Sequence, residues 1–133
     1  MSNVANPYVL LVQTAARQWV LFSGGTPQAG GFKLLRGEAG SRMAQTDAAQ
    51  LLSEKTQQEI SWDVVNYVGK LTHDNETYSL LLAKLPAKAD FGPGSLIAER
   101  GQLTTMIATG GITETLTLAA LQVLHAMQVK GKL

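Results

Sequence analysis

The residues of this chain that could do chemistry are one short charged stretch and a few carboxylates. Arg36-Gly37-Glu38 precedes a predicted helix, and Glu54 falls on that helix past its first turn. An arginine can pair with phosphate oxygens, and carboxylates are ligands for hard divalent cations. We take Arg36, Gly37, Glu38 and Glu54 as ligand-binding candidates. The alternative interpretation is that they are solvent-exposed residues of a turn and of a helical face.

The other reactive residue types argue against several enzyme classes. The chain has no cysteine, so it has no thiolate nucleophile, no disulfide framework and no cysteine-based zinc site. Neither His73 nor His125 has a second histidine at metal-ligand spacing. Neither Ser23 nor Ser41 has the G-x-S-x-G context of a serine hydrolase. These residue types therefore support neither a zinc site nor a cysteine or serine nucleophile; with the missing motif glutamates described below, we predict no catalytic residues and no metal site.

The composition is typical of a globular chain with one domain. With 45% hydrophobic and 16% charged residues, residues 1–133 are enough for a single domain with its own core. The formal net charge of +1 offers no broad cationic surface for nucleic acid. The apolar runs are shorter than the about 20 residues that span a bilayer, so we expect no membrane segment and a cytoplasmic location.

Hydrophobic patterning predicts a mixed sheet covered by helices. The aliphatic run at residues 7–13 is typical of a buried strand, and the apolar stripe of residues 112–127 is typical of a helix. Thr46 is the predicted N-cap of the first helix, and residues 36–43 are predicted to be irregular. The predicted strands cover residues 7–13, 19–22, 32–35, 62–71, 76–85 and 95–98, and the predicted helices cover residues 44–59, 103–108 and 112–127.

Three segments together resemble the Nudix hydrolase superfamily, in particular its ADP-ribose pyrophosphatase branch. They are VLLVQTAARQWVLFSGG at residues 9–25, LLRG at residues 34–37 followed by AAQLLSEKTQQEI at residues 48–60, and GGITETLTLAAL at residues 110–121. The resemblance implies an α/β (α+β) fold, built as an α/β/α sandwich with a mixed, largely antiparallel sheet flanked by helices. It also implies a homodimer and a nucleotide or nucleotide-sugar-like ligand.

The resemblance further indicates which residues would bind magnesium, and these are not acidic here. In the superfamily, glutamates on one face of the helix hold magnesium against a diphosphate. With Gly37 aligned to the first glycine of that motif, the glutamate positions are occupied by Met43, Leu52, Lys55 and Thr56, and the last glycine by Gln58. Shifting the helix by one residue recovers only Glu54, with Lys55 in the adjacent glutamate position. The resemblance therefore implies a Nudix-like fold without its metal centre.

These observations leave three functions open. The first is a non-catalytic module that binds a nucleotide-type ligand or takes part in an assembly, and it needs no cofactor. The alternative is a magnesium-dependent hydrolase of a nucleoside diphosphate derivative such as ADP-ribose. Its carboxylates would have to come from Glu38, Glu54, Glu99 or Glu114. The third function is a protein-interaction domain without a small ligand.

Overall fold

The computed structural model describes residues 6–14, 18–23, 32–85, 95–109 and 115–130. Its strands are β1 (Pro7–Thr14), β2 (Trp19–Ser23), β3 (Phe32–Lys33), β4 (Leu35–Glu38), β5 (Val65–His73), β6 (Glu76–Leu85) and β7 (Ser95–Ala98). Its helices are α1 (Ala44–Thr56), α2 (Arg100–Thr109) and α3 (Thr115–Val129), and a 3₁₀ turn covers Trp62–Val64. The order follows the predicted one, with β4 as an additional strand.

The sheet is built around β1, which pairs along both of its edges. On one edge β1 runs parallel to β6, from Tyr8 opposite Ser79 to Thr14 opposite Leu85. On the other edge it pairs antiparallel with β4 along its first half and with β2 along its second half. Within the described residues the order is β3-β2-β1-β6-β5, with β4 on β1 and β7 on β2. The pairings other than β1 with β6 are antiparallel.

Because β1 is buried on both faces, its side chains enter two hydrophobic cores. Successive residues of a strand point to opposite sides of the sheet. Tyr8 and Leu10 pack with α1 residues such as Leu52, while Val9 and Leu11 pack with residues of α2 and α3. The sheet therefore lies between α1 on one face and α2 with α3 on the other. This confirms the α/β/α sandwich with a mixed, largely antiparallel sheet.

The first helix begins earlier than its capping signal suggests. The predicted N-cap Thr46 is wrong, because Met43 is the N-cap residue, with an extended backbone and no side-chain capping bond. The backbone N–H of Asp47 donates to the carbonyl of Met43 over 3.1 Å, which closes the first turn. Asp47 lies in that turn, where a negative charge suits the helix dipole. The helix ends at Thr56 rather than residue 59.

Two further elements differ from the prediction, and one agrees with it. Residues 36–38 were predicted to be irregular, but they belong to β4, since β1 supplies their pairing partners. The strand predicted from residue 62 begins at Val65, after the 3₁₀ turn. The sequence predicts a turn at residues 73–75. Asp74 and Asn75 form it, with the φ values of 50° and 66° of a tight two-residue turn, while His73 is the last residue of β5.

Some predictions fall outside the described residues. They concern the loop after β2, the loop after β6, and the start of the last predicted helix at residues 112–114. Where α3 is described, Leu116, Ala120 and Leu124 are buried, as the apolar stripe predicted. In the part of the chain that the structure describes, none of the helices has the length and apolar character needed to cross a membrane.

Candidate functional site

β4 brings three of the four ligand-binding candidates to one pocket. Its antiparallel register places Glu38 opposite Pro7 and Gly37 opposite Tyr8, next to the first residues of β6. A pocket of about 310 Å³ opens there. Its lining residues are Pro7, Arg36, Gly37, Glu38, Glu76 and Tyr78.

The chemistry of this pocket is mixed in charge. It contains one guanidinium, two carboxylates and one phenol, from Arg36, Glu38, Glu76 and Tyr78. The Tyr78 hydroxyl donates to Oε2 of Glu76 over 2.9 Å. That hydrogen bond raises the pKa of Tyr78, while the positive charge of Arg36 acts in the opposite direction. Arg36 and Glu38 are exposed, so both can reach a ligand.

Gly37 has a packing role in this arrangement. A Cβ atom at this position would lie 2.6 Å from the Tyr8 hydroxyl oxygen and 2.9 Å from Cζ of the ring. Real Cβ atoms do not approach other atoms this closely, so only glycine lets the tyrosine lie against β4. The structure thus explains the glycine without reference to a ligand.

Tyr8 is part of a hydrogen-bonded network that fixes α1 against the sheet. Its hydroxyl donates to Oδ2 of Asp47 over 2.7 Å. Arg42 donates to Oδ1 of Asp47 over 3.1 Å and to Oε1 of Gln50 over 2.8 Å. Burial, and then the hydrogen bond to Asp47, raises the pKa of Tyr8 above its ordinary value. The phenol therefore remains a neutral donor.

Glu54, the fourth candidate, lies on the exposed surface of α1 and does not line this pocket.

The geometry of α1 can be compared with the Nudix motif to which the sequence was aligned. Leu52 is fully buried, as expected of the motif's aliphatic position, and Gln57 has a left-handed backbone (φ 55°), as expected of its last glycine. In the alignment shifted by one residue, the positions of the motif's helical glutamates would be Leu51, Glu54 and Lys55.

These residues do not fit a magnesium ion. Magnesium requires several oxygen ligands in octahedral geometry, whereas the motif positions of this helix offer only the carboxylate of Glu54, next to Lys55. The motif's first glutamate corresponds to Met43 or Arg42, and Arg42 is paired with Asp47. Glu38 lies on β4, Glu99 lies between β7 and α2, and Glu114 lies outside the described residues. Among the residues that are described, no three His, Cys, Asp or Glu side chains are grouped so that they could hold a metal.

A second pocket, which sequence reasoning missed, lies beside α1. It has a volume of about 500 Å³. Its lining residues are Arg42, Thr46, Ala49, Gln50, Glu59, Ile60, Ser61 and Trp62. The Trp62 side chain is 54% exposed, and it lies in the 3₁₀ turn rather than at the start of the predicted strand. The sequence did contain a signal for this exposure, because Trp62 lies between the polar residues Ser61 and Asp63, ahead of the apolar Val64 and Val65.

Comparisons with known proteins identify a fold and no family. No family model matches the chain, and no curated protein matches it. The C-terminal domain of mouse MUTYH, solved in complex with human PCNA, is similar with a TM-score of 0.69 and 12% identity, over 92% of this chain and 88% of that one. The T. brucei MERS1 protein in its apo form is similar with a TM-score of 0.50 and 11% identity, over 77% of this chain and 61% of that one.

The first of these similarities decides the fold class. The C-terminal domain of mouse MUTYH has a Nudix-like fold, and it superimposes on nearly the whole of this chain. This chain has a Nudix-like fold. At 12% identity the similarity extends to the fold alone, so the function has to be argued from the residues of the two pockets and of α1.

Proposed function

We propose that this chain is a non-catalytic relative of the Nudix hydrolases that binds a nucleotide-type ligand at the pocket of Arg36, Gly37 and Glu38. The observation that carries the proposal is the surface of α1. Where the superfamily has magnesium-binding glutamates, this helix has Leu51 and Lys55 beside Glu54. A lysine at a metal position repels the cation, so the helix does not supply the metal-assisted step of a hydrolase.

The pocket offers a group for each part of a nucleotide. The Arg36 guanidinium suits a phosphate, because its planar fork of donors matches the phosphate oxygens. Glu38 and Glu76 can accept hydrogen bonds from ribose hydroxyls, and the Tyr78 ring offers a face for a base. A volume of about 310 Å³ lies at the lower end of small-ligand sites. It therefore suits a nucleoside monophosphate unit better than a whole dinucleotide.

Thermal unfolding with AMP, ADP-ribose and NAD, each in the presence of EDTA, tests the binding proposal. A ligand that binds the folded chain raises the unfolding temperature. We expect stabilisation by AMP and ADP-ribose without metal, and at least about tenfold weaker binding in Arg36→Ala, since a charged hydrogen bond is lost. Lys84→Ala is the matched control, because this exposed lysine lies about 20 Å further along β6. No stabilisation at millimolar concentrations would contradict the proposal.

The hydrolase alternative is tested separately. It predicts that AMP is released from ADP-ribose with magnesium or manganese, and that a chelator abolishes the release. We expect no release under either metal, because α1 lacks a second carboxylate beside Glu54. Release that is lost in Glu54→Gln would show instead that this chain is a metal-dependent enzyme.

An assembly role is consistent with what a protein of similar fold does. The C-terminal domain of mouse MUTYH forms a complex with human PCNA, so a domain of similar fold takes part in a protein assembly there. For this chain we propose a cytoplasmic homodimer, a proposal that rests on the resemblance of its sequence to the ADP-ribose pyrophosphatase branch and not on that complex. Light scattering after size exclusion tests the dimer, and a mass of one protomer across a broad concentration range would contradict it.

A further inference from the structure

The pocket beside α1 presents a large aromatic side chain to solvent. Trp62 is 54% exposed, whereas the other tryptophan, Trp19, is 1% exposed. Leaving much of an indole in water forgoes the free energy of burying it. Met43, the neighbour of Arg42 at the start of α1, is 50% exposed. Tryptophan, methionine and arginine are among the residues enriched at protein interfaces.

The wall that carries Trp62 is fixed before any ligand arrives. The Ser53 hydroxyl donates to the carbonyl of Ala49 over 2.8 Å and accepts from the backbone N–H of Ile60 over 2.9 Å. The N–H of Val64 donates to the carbonyl of Ser61 over 3.2 Å. Ile60 also packs against the core on the α1 side. Because the segment is tied to the helix, binding would cost little conformational entropy.

The charge of this pocket is negative on balance. Its one cation, Arg42, is neutralised by Asp47 at 3.1 Å and also donates to Gln50. Glu59 lines the pocket, and Asp63 follows Trp62 in the chain. Neither of these two exposed carboxylates has an ion-pair partner within the described part of the chain. An exposed indole beside an uncompensated carboxylate is an arrangement that attracts cations.

We propose that this pocket binds an arginine side chain presented by a peptide segment of a protein partner. The guanidinium would stack on Trp62 and pair with Glu59, and Met43 would contact the peptide beside it. Arginine fits better than lysine because its planar group stacks on an aromatic face while it hydrogen-bonds at its edge. The site is separate from the pocket of Arg36 and does not depend on the function proposed there.

Calorimetric titration with three probes tests this assignment on the full chain. The probes are a blocked pentapeptide of alternating arginine and glycine, the same peptide with glutamate in place of arginine, and AMP. We expect saturable binding of the arginine peptide, weakened by added salt because both charges are near solvent. We expect no binding of the glutamate peptide. Equal binding of the two peptides, or the absence of binding by the arginine peptide at millimolar concentrations, would overturn the proposal.

Variants locate the binding on the pocket. Trp62→Ala should weaken binding of the arginine peptide by at least about fivefold, and Trp62→Phe should retain part of the affinity. Glu59→Gln should weaken it and reduce its salt dependence. Tyr67→Ala, an equally exposed aromatic residue on β5, and Asp74→Asn, an exposed carboxylate in the hairpin turn, should leave the affinity unchanged.

Two outcomes of these titrations would argue against the site directly. If Trp62→Ala binds the arginine peptide as tightly as the natural chain, the indole is not part of a binding site. If AMP binding is the property that Trp62→Ala loses, the pocket binds a nucleotide and not a cationic side chain. Circular dichroism of each variant checks that the exposed substitutions leave the fold intact.

Discussion

Gly37 and Tyr8 depend on each other, which can be tested by adding one methyl group. Gly37→Ala places a Cβ atom 2.6 Å from the Tyr8 hydroxyl oxygen. We expect urea unfolding to show a loss of about 1–3 kcal/mol, the usual cost of overpacking. Tyr8 cannot move aside freely, because its hydroxyl is bonded to Asp47.

Gly69→Ala is the control for this substitution. It lies on β5, and a Cβ atom there meets no other heavy atom within 4 Å. We expect its unfolding free energy to change by no more than about 0.5 kcal/mol. Equal losses in both variants would mean that alanine disturbs these strands in general and that contact with Tyr8 is not the cause.

The Tyr8 phenol also makes a prediction about alkaline pH. Because burial and the Asp47 hydrogen bond raise its pKa in the folded chain, the folded state keeps a proton that the unfolded state releases. The phenol makes its full contribution to the free energy of unfolding below the ordinary tyrosine pKa of about 10. Above that pH the free energy of unfolding falls by about 1.4 kcal/mol per pH unit. Tyr8→Phe should be less stable at neutral pH and should show a shallower alkaline decline in urea unfolding. Parallel declines would contradict the assignment to Tyr8.

At the scale of single residues, the sequence singled out side chains that line the pocket of Arg36 but did not single out Trp62. Arg36 and Glu38 are candidates because their side-chain chemistry is visible in the sequence. The packing role of Gly37 was not visible, because it depends on a ring contributed by another strand. Trp62 was missed because residues 62–71 were predicted to form one strand, whereas Trp62 lies in the 3₁₀ turn that precedes β5 and is 54% exposed.

At the scale of elements, the end of α1 offers a test of its alignment with the Nudix motif. Gln57 has a left-handed backbone with φ 55°, which glycine adopts without a steric penalty. The backbone effect of Gln57→Gly should therefore stabilise the chain by about 0.5 kcal/mol. The variant also loses the 2.8 Å hydrogen bond from the Gln57 side chain to the Glu54 carbonyl, which reduces this gain. Thermal unfolding measures the difference.

Gln58→Gly is the matched comparison, since Gln58 is not among the described residues with positive φ. A glycine there adds only freedom to the unfolded chain, so we expect no gain or a small loss of stability. If Gln58→Gly were the stabilising variant, the unshifted alignment would be favoured, with Leu52 and not Leu51 at a glutamate position.

The elements themselves could be predicted where the information is local. The hairpin turn of Asp74 and Asn75, the aliphatic strand β1 and the stripe of α3 each have a clear pattern in sequence. β4 does not, because Leu35-Arg36-Gly37-Glu38 shows no alternation and contains a glycine. Its strand conformation comes from pairing with β1, which is a tertiary effect that overrides weak local preference.

At the scale of the whole molecule, β1 links two cores that could otherwise behave as separate units. Leu10 packs on the α1 side and Leu11 on the side of α2 and α3, and both are fully buried. Truncating either one to alanine should cost about 2–5 kcal/mol, since each leaves a cavity in a close-packed core. Neighbouring residues of β1 pack into both cores. Loss of packing in one core therefore disturbs the strand on which the other core depends, so we expect the two cores to unfold together.

The consequence is a single unfolding transition, which two probes can monitor independently. Trp19 lies in the core with α2 and α3, so its fluorescence in a Trp62→Phe background reports on that core alone. Far-UV circular dichroism reports on all helices and strands. In Leu10→Ala the cavity lies on the opposite face from Trp19, yet the fluorescence and dichroism transitions in urea should still coincide. Native Trp19 fluorescence persisting after the dichroism signal begins to fall would show that the α1 side unfolds by itself.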